Sequence, residues 1–173
     1  MEKRQQLITE LNEFIKTASD DSLEVLKATL KGSISFEEKT AKTYLNGMFD
    51  YKGELLSDTR YEATMKVNPF VLNPLQITHG GILATFADSA MGTHVALKLP
   101  EDKASVTAEL GIHYLKPAVG STLRAVSDII QKGRRLWVME CKIYNDEQKV
   151  VCSATGSFFV VPLPQTVSPA AKL

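Results

Sequence analysis

The sequence predicts an α+β fold in which a curved antiparallel sheet surrounds one long buried helix, with two extra helices at the N-terminus. Residues 80–97 are apolar or small on every side of a helix, and Asp88 is their single charged residue. A helix that is apolar all round is typically buried. Two strand-like runs precede it and four follow it. Because one sheet covers only one side of such a helix, the pattern also predicts association between copies, at least a dimer.

Composition indicates one ordinary globular domain. The 173 residues are 44% apolar and 23% charged, and 20 basic residues balance 20 acidic ones. This balance gives no electrostatic basis for a nucleic-acid or anionic-membrane partner. The N-terminal residues MEKRQQ contain no apolar signal core, so we expect a cytoplasmic protein. Cys141 and Cys152 lack metal-binding spacing, and we expect them to be reduced and buried, with no metal or cofactor.

Two helices are predicted before the sheet. Residues 3–18 place apolar side chains on one helical face. Ser19 and its polar neighbours can cap a second helix over residues 22–31, and Gly32 is expected to end it. We interpret residues 1–39 as an N-terminal helical extension of the main domain.

The main domain is predicted to span residues 40–162 and to begin with a hairpin. Residues 44–51 and 55–67 have strand patterns on either side of a turn at Lys52–Glu54. A proline-containing loop leads to the buried helix, and turn signals separate the remaining strands into a meander. These later strands are predicted at 104–116, 121–132, 135–145 and 149–161. Residues 163–173 are interpreted as a loose tail.

Asp88 is the unusual residue of the buried helix. A carboxylate that is buried without a partner costs several kcal/mol, so such a group is usually paired, neutralised or functional. Composition alone does not separate a structural carboxyl group from a catalytic one.

Several motifs around this helix occur together. His79-Gly80-Gly81 opens the helix, Asn73 lies six residues before His79, and Asp88 lies nine residues after it. A strand with the pattern T-x-E-x-x-x-x-Y runs from Thr107 to Tyr114. Over residues 42–162 the chain resembles the hotdog-fold acyl-CoA thioesterases of the PaaI type, named for phenylacetate degradation. One departure is Gln76, where the family usually has glycine.

The resemblance implies hydrolysis of a CoA thioester to a free acid and CoA. Asp88 would act either as the general base on water or as a nucleophile, and the sequence does not separate these roles. Asn73 and His79 would orient the loop and the substrate carbonyl, and the Thr107 hydroxyl would help to hold the attacking water. The family also implies a homodimer or homotetramer whose active sites lie between subunits.

The start of the buried helix has its own chemistry. Its first N–H groups have no partner within the helix and lie at the positive end of the helix dipole. Gly80 and Gly81 leave room for a carbonyl group, so the Gly80 amide is a candidate oxyanion hole; alternatively, the glycines only permit close packing. Asp88 lies eight residues further on, about 12 Å along the axis, so the two groups of one chain cannot reach one thioester. We therefore predict a site shared between two subunits.

Two further assignments concern the strands. Simple alternation places Thr107 and Glu109 on one face and Ala108 and Leu110 on the other, so that Thr107 lies off the apolar face.

A basic turn can bind the phosphates of CoA, or it can simply be solvated. Its residues are Lys132, Arg134 and Arg135.

Two alternatives to a thioesterase remain open. The first is a non-catalytic acyl-CoA sensor or binding module whose N-terminal helices contact a partner. The second is a hotdog dehydratase or hydratase, in which a histidine is paired with an acid in other loop patterns. Loss of turnover in Asp88→Asn is the discriminating observation for the thioesterase.

Overall fold

The computed structural model describes residues 2–164 and contains a curved six-stranded antiparallel sheet with a long helix packed on it. The sheet order is β1-β2-β4-β5-β6-β3. The helices are α1 (Glu2–Thr17), α2 (Asp20–Glu37), α3 (Tyr44–Met48) and α4 (Gly80–Lys98), with a short 3-10 turn at Pro69–Val71. The strands are β1 (Lys52–Leu55), β2 (Arg60–Lys66), β3 (Lys103–Tyr114), β4 (Thr122–Lys132), β5 (Leu136–Tyr144) and β6 (Val150–Pro162).

Helix α4 packs on the apolar face of the sheet, as the sequence predicts. Its buried side lies against alternating buried residues of the central strands, such as Met139 and Cys141 of β5. The buried residues of α4 are Leu83, Phe86, Ala87, Ala90, Met91, His94 and Val95. The predicted α+β hotdog fold is therefore confirmed. Both cysteines are free and buried, and burial raises the pKa of the Cys152 thiol to about 11.

The predicted strand at residues 44–51 is wrong. Residues 44–48 form α3, because the Thr43 hydroxyl caps this turn by accepting the Asn46 N–H at 3.0 Å. The first strand is instead Lys52–Leu55, where the sequence suggested a turn. The second strand begins only at Arg60, five residues later than expected.

Helix α2 does not end at Gly32, which is also a correction. It continues to Glu37, and Gly32 is buried within it. A Cβ at Gly32 would lie 2.6 Å from the backbone nitrogen of Met48, and a Cβ at Gly47 would lie 2.6 Å from the Gly32 carbonyl oxygen. The glycine is therefore needed for close packing of α2 on α3 rather than for helix termination.

The last four strands are placed correctly along the chain, but they do not form a simple meander. Strands β4, β5 and β6 are consecutive neighbours, whereas β3 pairs with β6 and lies at the sheet edge. Most of β3 is exposed or only partly buried. The outer edge of this twelve-residue strand has no partner strand among residues 2–164, so another strand can pair along it.

Candidate active site

The N-terminus of α4 presents one free amide. His79 caps the helix: its Nδ1 accepts the Gly81 N–H at 2.9 Å, and its carbonyl oxygen accepts the N–H groups of Ile82 and Leu83. Within residues 2–164, the Gly80 N–H has no hydrogen-bond partner. Of the two glycine amides that the motif singles out, Gly80 is thus the free donor at the positive end of the helix, and the Gly81 amide is occupied by His79.

The loop before α4 is organised by Asn73. Its Oδ1 accepts the N–H groups of Leu75 and Ile77 at 2.9 and 3.4 Å, and its carbonyl oxygen accepts the Gln76 N–H at 2.9 Å. Gln76 has a φ of 58°, in the left-handed region that glycine adopts at no steric cost. This residue therefore keeps a backbone conformation suited to the glycine that the related family has at this position.

Asp88 accepts a hydrogen bond from the neighbouring strand. The Thr107 hydroxyl donates to Asp88 Oδ1 at 2.8 Å. Both residues line a groove of about 420 Å³ between α4 and β3, so the carboxylate is accessible from solvent. The groove follows one side of α4 from Asp88 through Gly92 to Ala96.

Thr107 faces α4, contrary to the prediction from alternation. The pairing of β3 with β6 shifts between Thr107 and Glu109, which leaves Ala108 as the extra residue of a β-bulge. As a result Thr107 pairs with buried Phe158, and Leu110 pairs with buried Gly156 on the same sheet face. A bulge of this kind changes the direction of a side chain, and here it aims the Thr107 hydroxyl at Asp88.

The segment before the sheet forms part of this groove. Lys42, Thr43 and Asn46 line it opposite the Asp88 side of α4 and β3. These residues lie at the start of α3, which packs on α2 through the close contact of Gly32 and Gly47. The N-terminal helices are therefore connected to the groove through α3, which the sequence did not predict.

Gly80 and Asn73 line a different cavity from Asp88. This second cavity has a volume of about 350 Å³ and includes Tyr114 and Leu115 at the end of β3. The structure thus brings Asp88 together with Thr107, and Asn73 together with Gly80 and the neighbouring His79 cap. It does not bring the two groups to one point within one chain.

Tyr114 is a site residue whose role the sequence did not reveal. Its hydroxyl donates to the Gly80 carbonyl oxygen at 3.0 Å, and a Cβ on Gly80 would lie 3.2 Å from its ring. Tyr114 appears in the sequence motif, but its contact with the helix depends on the side of β3 that faces α4. After the bulge at Ala108, Tyr114 lies on the same face as Leu110 and Thr107.

The basic turn lies apart from both cavities. The Lys132 ammonium group is 4.8 Å from the centre of the Trp137 ring, a cation–π contact, and Arg134 and Arg135 are exposed. Trp137 is paired with Phe158, which is paired in turn with Thr107. Two strand spacings, about 10 Å, therefore separate this end of β5 from Thr107.

The other two histidines, His94 and His113, line neither of the two cavities. His94 is a fully buried residue of α4, its Nδ1 lies 3.2 Å from the Ser127 hydroxyl, and burial lowers its pKa to about 4. Across residues 2–164, no three His, Cys, Asp or Glu side chains are grouped so as to hold a metal ion. No helix in the described part of the chain has the length and hydropathy needed to cross a membrane.

Comparison with known proteins gives the family of this chain. The family model described as "Thioesterase superfamily" matches residues 75–152, from the loop before α4 into β6. The BH2602 protein of Bacillus halodurans, solved with CoA, is 39% identical to this chain. The alignment has a TM-score of 0.81 and covers 89% of this chain and 99% of that one. The chain belongs to the thioesterase superfamily.

Curated members of the thioesterase superfamily match shorter stretches. The acyl-coenzyme A thioesterase PaaI of Escherichia coli is 32% identical over 94 residues, which cover 54% of this chain and 65% of PaaI. The medium/long-chain acyl-CoA thioesterase YigI of the same organism is 28% identical over 97 residues, which cover 49% of this chain and 63% of YigI. The matched region is thus less than two thirds of either relative. The prediction of a hotdog thioesterase-family enzyme is nevertheless confirmed.

Proposed function

We propose that this protein is an acyl-CoA thioesterase that hydrolyses a CoA thioester to a free acid and CoA, with Asp88 and the Gly80 amide as its catalytic groups. The observation that supports this most directly is that one chain has both a carboxylate held by Thr107 and, elsewhere on α4, a helix N-terminus whose first amide is unoccupied. The names of PaaI and YigI, and the CoA in the BH2602 structure, support the same substrate class.

Asp88 supplies the base or the nucleophile. As a base, its carboxylate takes a proton from water while the water oxygen attacks the thioester carbon. As a nucleophile, it attacks that carbon itself and forms an anhydride, which water then hydrolyses. Thr107 serves both routes, because its hydroxyl donates to Asp88 and its lone pairs remain available to a water molecule. In either case the C–S bond breaks and CoA leaves as a thiolate that is then protonated.

The Gly80 amide stabilises the oxygen of the substrate. Negative charge develops on the carbonyl oxygen as the carbon becomes tetrahedral, and an N–H donor at the positive end of α4 is suited to it. Asn73 shapes the loop that leads into this end of the helix. His79 fixes the cap through Nδ1, and this contact leaves its Nε2 unused.

The complete site is shared between two copies of the chain. Gly80 and Asp88 are separated by eight residues of α4 and line different cavities, so one copy supplies the amide and its neighbour supplies the carboxylate. The free edge of β3, which bears both Thr107 and Tyr114, is available for pairing in a homodimer or a higher oligomer. Such a dimer also covers the side of α4 that the sheet leaves open.

The phosphates of CoA are assigned to the basic turn. Arg134 and Arg135 have no side-chain hydrogen bond or ion pair among the residues described, and guanidinium groups bind phosphate through paired donors. Lys132 adds a third cation at the same turn. The distance of about two strand spacings from Thr107 is short compared with an extended pantetheine arm, so the turn is within reach of bound CoA.

A thiol-release assay over short-chain, medium-chain and aromatic acyl-CoA substrates tests this function. We expect CoA release by the wild type with at least one acyl class, and its loss in Asp88→Asn with acyl-CoA binding retained. Binding without turnover by the wild type would indicate an acyl-CoA sensor instead. Loss of water from a 3-hydroxyacyl-CoA without release of thiol would indicate a dehydratase.

A further inference from the structure

We propose that Tyr114 is a positioning residue that acts through the Gly80–Gly81 peptide group to hold His79 as a hydrogen-bond donor toward the substrate. This inference rests on the proposed thioesterase function for its kinetic consequence. Its structural part, the protonation pattern of the His79 ring, can be measured without any substrate.

The geometry consists of two hydrogen bonds at opposite ends of one peptide group. At one end, the Tyr114 hydroxyl donates to the Gly80 carbonyl oxygen at 3.0 Å. At the other end, the N–H of Gly81 donates to His79 Nδ1 at 2.9 Å. The Gly80 carbonyl and the Gly81 N–H belong to the same planar unit, so neither end can rotate without the other.

The two hydrogen bonds strengthen each other. A peptide carbonyl that accepts a hydrogen bond becomes more polarised, and its N–H becomes a better donor. The Tyr114 hydroxyl therefore favours the form of His79 in which Nδ1 is an unprotonated acceptor. In a neutral imidazole the proton must then reside on Nε2, which makes Nε2 a donor.

A donor at Nε2 is useful in the proposed reaction. The residue lies immediately before Gly80, whose free N–H is assigned to the thioester carbonyl oxygen. With Nε2 protonated, His79 and Gly80 offer two adjacent donors to the same developing charge. With Nδ1 protonated instead, His79 would lose its bond to Gly81 and present a lone pair to that charge, which is repulsive.

The glycine pair is where an external contact adds most to the restraint that the helix itself provides. Two consecutive residues without Cβ atoms leave the backbone unusually free to rotate. The Tyr114 ring also packs directly on Gly80, where an added Cβ would lie 3.2 Å from the ring. Tyr114 thus limits the motion of this peptide by contact as well as by its hydroxyl.

The variant Tyr114→Phe tests the inference, because it keeps the ring contact and removes only the hydroxyl. Tyr44→Phe is the matched control, since the Tyr44 hydroxyl bonds only to the exposed Glu37 side chain at 3.4 Å. Nitrogen-15 NMR of the uniformly labelled protein reports the ring protonation of each histidine, and the His79→Gln spectrum assigns the His79 signals. Thermal unfolding shows that each variant is folded.

In the wild type we expect one neutral His79 form with a bare Nδ1 and a protonated Nε2. In Tyr114→Phe we expect a mixture of the two neutral forms and a kcat lowered about three- to tenfold, the range for loss of one hydrogen bond between neutral groups. KM should change by less than about twofold, because ground-state binding of CoA does not use this contact. Tyr44→Phe should match the wild type in both measurements.

Two results overturn the inference. One is a wild-type spectrum in which the neutral His79 ring carries its proton on Nδ1. The other is a Tyr114→Phe protein that is folded and has wild-type NMR signals for His79 and a wild-type kcat. Failure of the proposed function has a different signature, because a chain without thioesterase activity could still show the His79 spectrum and its response to Tyr114→Phe.

Discussion

Thr107 and Asp88 are joined by a hydrogen bond of 2.8 Å that exists because of one extra residue in strand β3. The bulge at Ala108 changes which face of the strand Thr107 occupies and directs its hydroxyl toward α4. Without the bulge, Thr107 would lie on the face opposite to Leu110, away from the helix. Bulges are common near active sites. This one allows β3 to donate a hydrogen bond to Asp88, the only charged residue among residues 80–97.

Removing the Thr107 hydroxyl should impair catalysis while the fold is retained. Thr107→Val keeps the branched shape but cannot donate to Asp88, and hydrogen bonds to a charged group contribute about 1.5–3 kcal/mol. We expect kcat to fall about 10- to 100-fold in a thiol-release assay. Thr107→Ser keeps the hydroxyl and should stay within a few-fold of the wild type. Equal activity of the valine and serine variants would contradict a role for this hydrogen bond.

Replacing Gly80 separates the effect of its N–H from the effect of added bulk. Gly80→Pro removes the N–H, and proline is well tolerated at the first position of a helix. The preceding residue, His79, has a φ of −60° and a ψ of 136°, which is compatible with a following proline. Gly80→Ala introduces the same Cβ, 3.2 Å from the Tyr114 ring, but keeps the N–H.

We expect Gly80→Pro to lose about 100-fold or more in kcat, as removal of an oxyanion-hole donor does in other enzymes. Gly80→Ala should lose much less, because the ring of Tyr114 is exposed and can shift by a few tenths of an ångström. Both variants should unfold near the wild-type temperature. If alanine is as damaging as proline, crowding rather than the amide explains the effect.

Separating α2 from α3 should alter substrate binding. In Gly32→Ala the new Cβ lies 2.6 Å from the Met48 backbone nitrogen, so the helices must move apart. Alanine is intrinsically better in a helix than glycine by about 1 kcal/mol, so any loss of stability has to be steric. We expect destabilisation of about 1–3 kcal/mol in urea unfolding.

The same variant should raise KM, because Lys42 and Asn46 line the Asp88 groove from this part of the chain. Lys27→Ala, at an exposed position of the same helix, is the control and should leave KM unchanged. A Gly32→Ala protein with wild-type stability and wild-type KM would show that the close helix contact has no effect on the groove.

His94 should make the protein less stable in mild acid. Burial is the main reason that the pKa of His94 falls from its ordinary value of 6.5 to about 4; the charge of nearby Lys98 contributes to this lowering, and Asp128 partly opposes it. Between these two values the unfolded chain binds a proton that the folded protein does not. Stability is therefore fully present above pH 6.5 and is lost as the pH falls toward 4, by roughly 3 kcal/mol in total.

The variant His94→Gln provides the comparison for this pH dependence. We expect its unfolding free energy to change less between pH 6.5 and 4 than that of the wild type. Asp146 also contributes to the pH dependence, because hydrogen bonds from the Ser121 N–H and hydroxyl lower its pKa. This contribution is lost at a lower pH than that of His94, and it is the same in both proteins. Parallel pH profiles for the two proteins would exclude His94 as the cause.

The sequence predicted the fold well where a one-dimensional pattern determines it. The apolar run 80–97 corresponds to α4, which spans Gly80–Lys98, and the four later strands lie within two residues of their expected limits. The strand predicted at 44–51 was wrong because the Thr43 cap was overlooked and because a tertiary contact also holds the helical turn. Gly47 packs on Gly32, fifteen residues away, and neither local propensity nor alternation contains that information.

For the candidate site, too, one-dimensional patterns gave part of the description, and the rest depended on three-dimensional contacts. Asp88, His79 and Gly80 became candidates from the lone acid of the apolar helix, the motif that opens it and the family resemblance, and the distance between Asp88 and Gly80 followed from helix geometry. The face of Thr107 was assigned wrongly, because alternation assumes that a strand has no bulge. The contact of Tyr114 with Gly80 was missed for a related reason, since it depends on how β3 crosses the start of α4.

The shared active site is tested most directly by combining two inactive subunits. Asp88→Asn retains the Gly80 amide, and Gly80→Pro retains the Asp88 carboxylate; each alone should be inactive in thiol release. The two variants are co-expressed with different tags, and the mixed dimers are confirmed by native mass spectrometry. If one copy supplies each group, activity should return to about a quarter of the wild-type value, since half of randomly formed dimers have one intact site of two. Confirmed mixed dimers with no more activity than the separate variants would contradict the shared site.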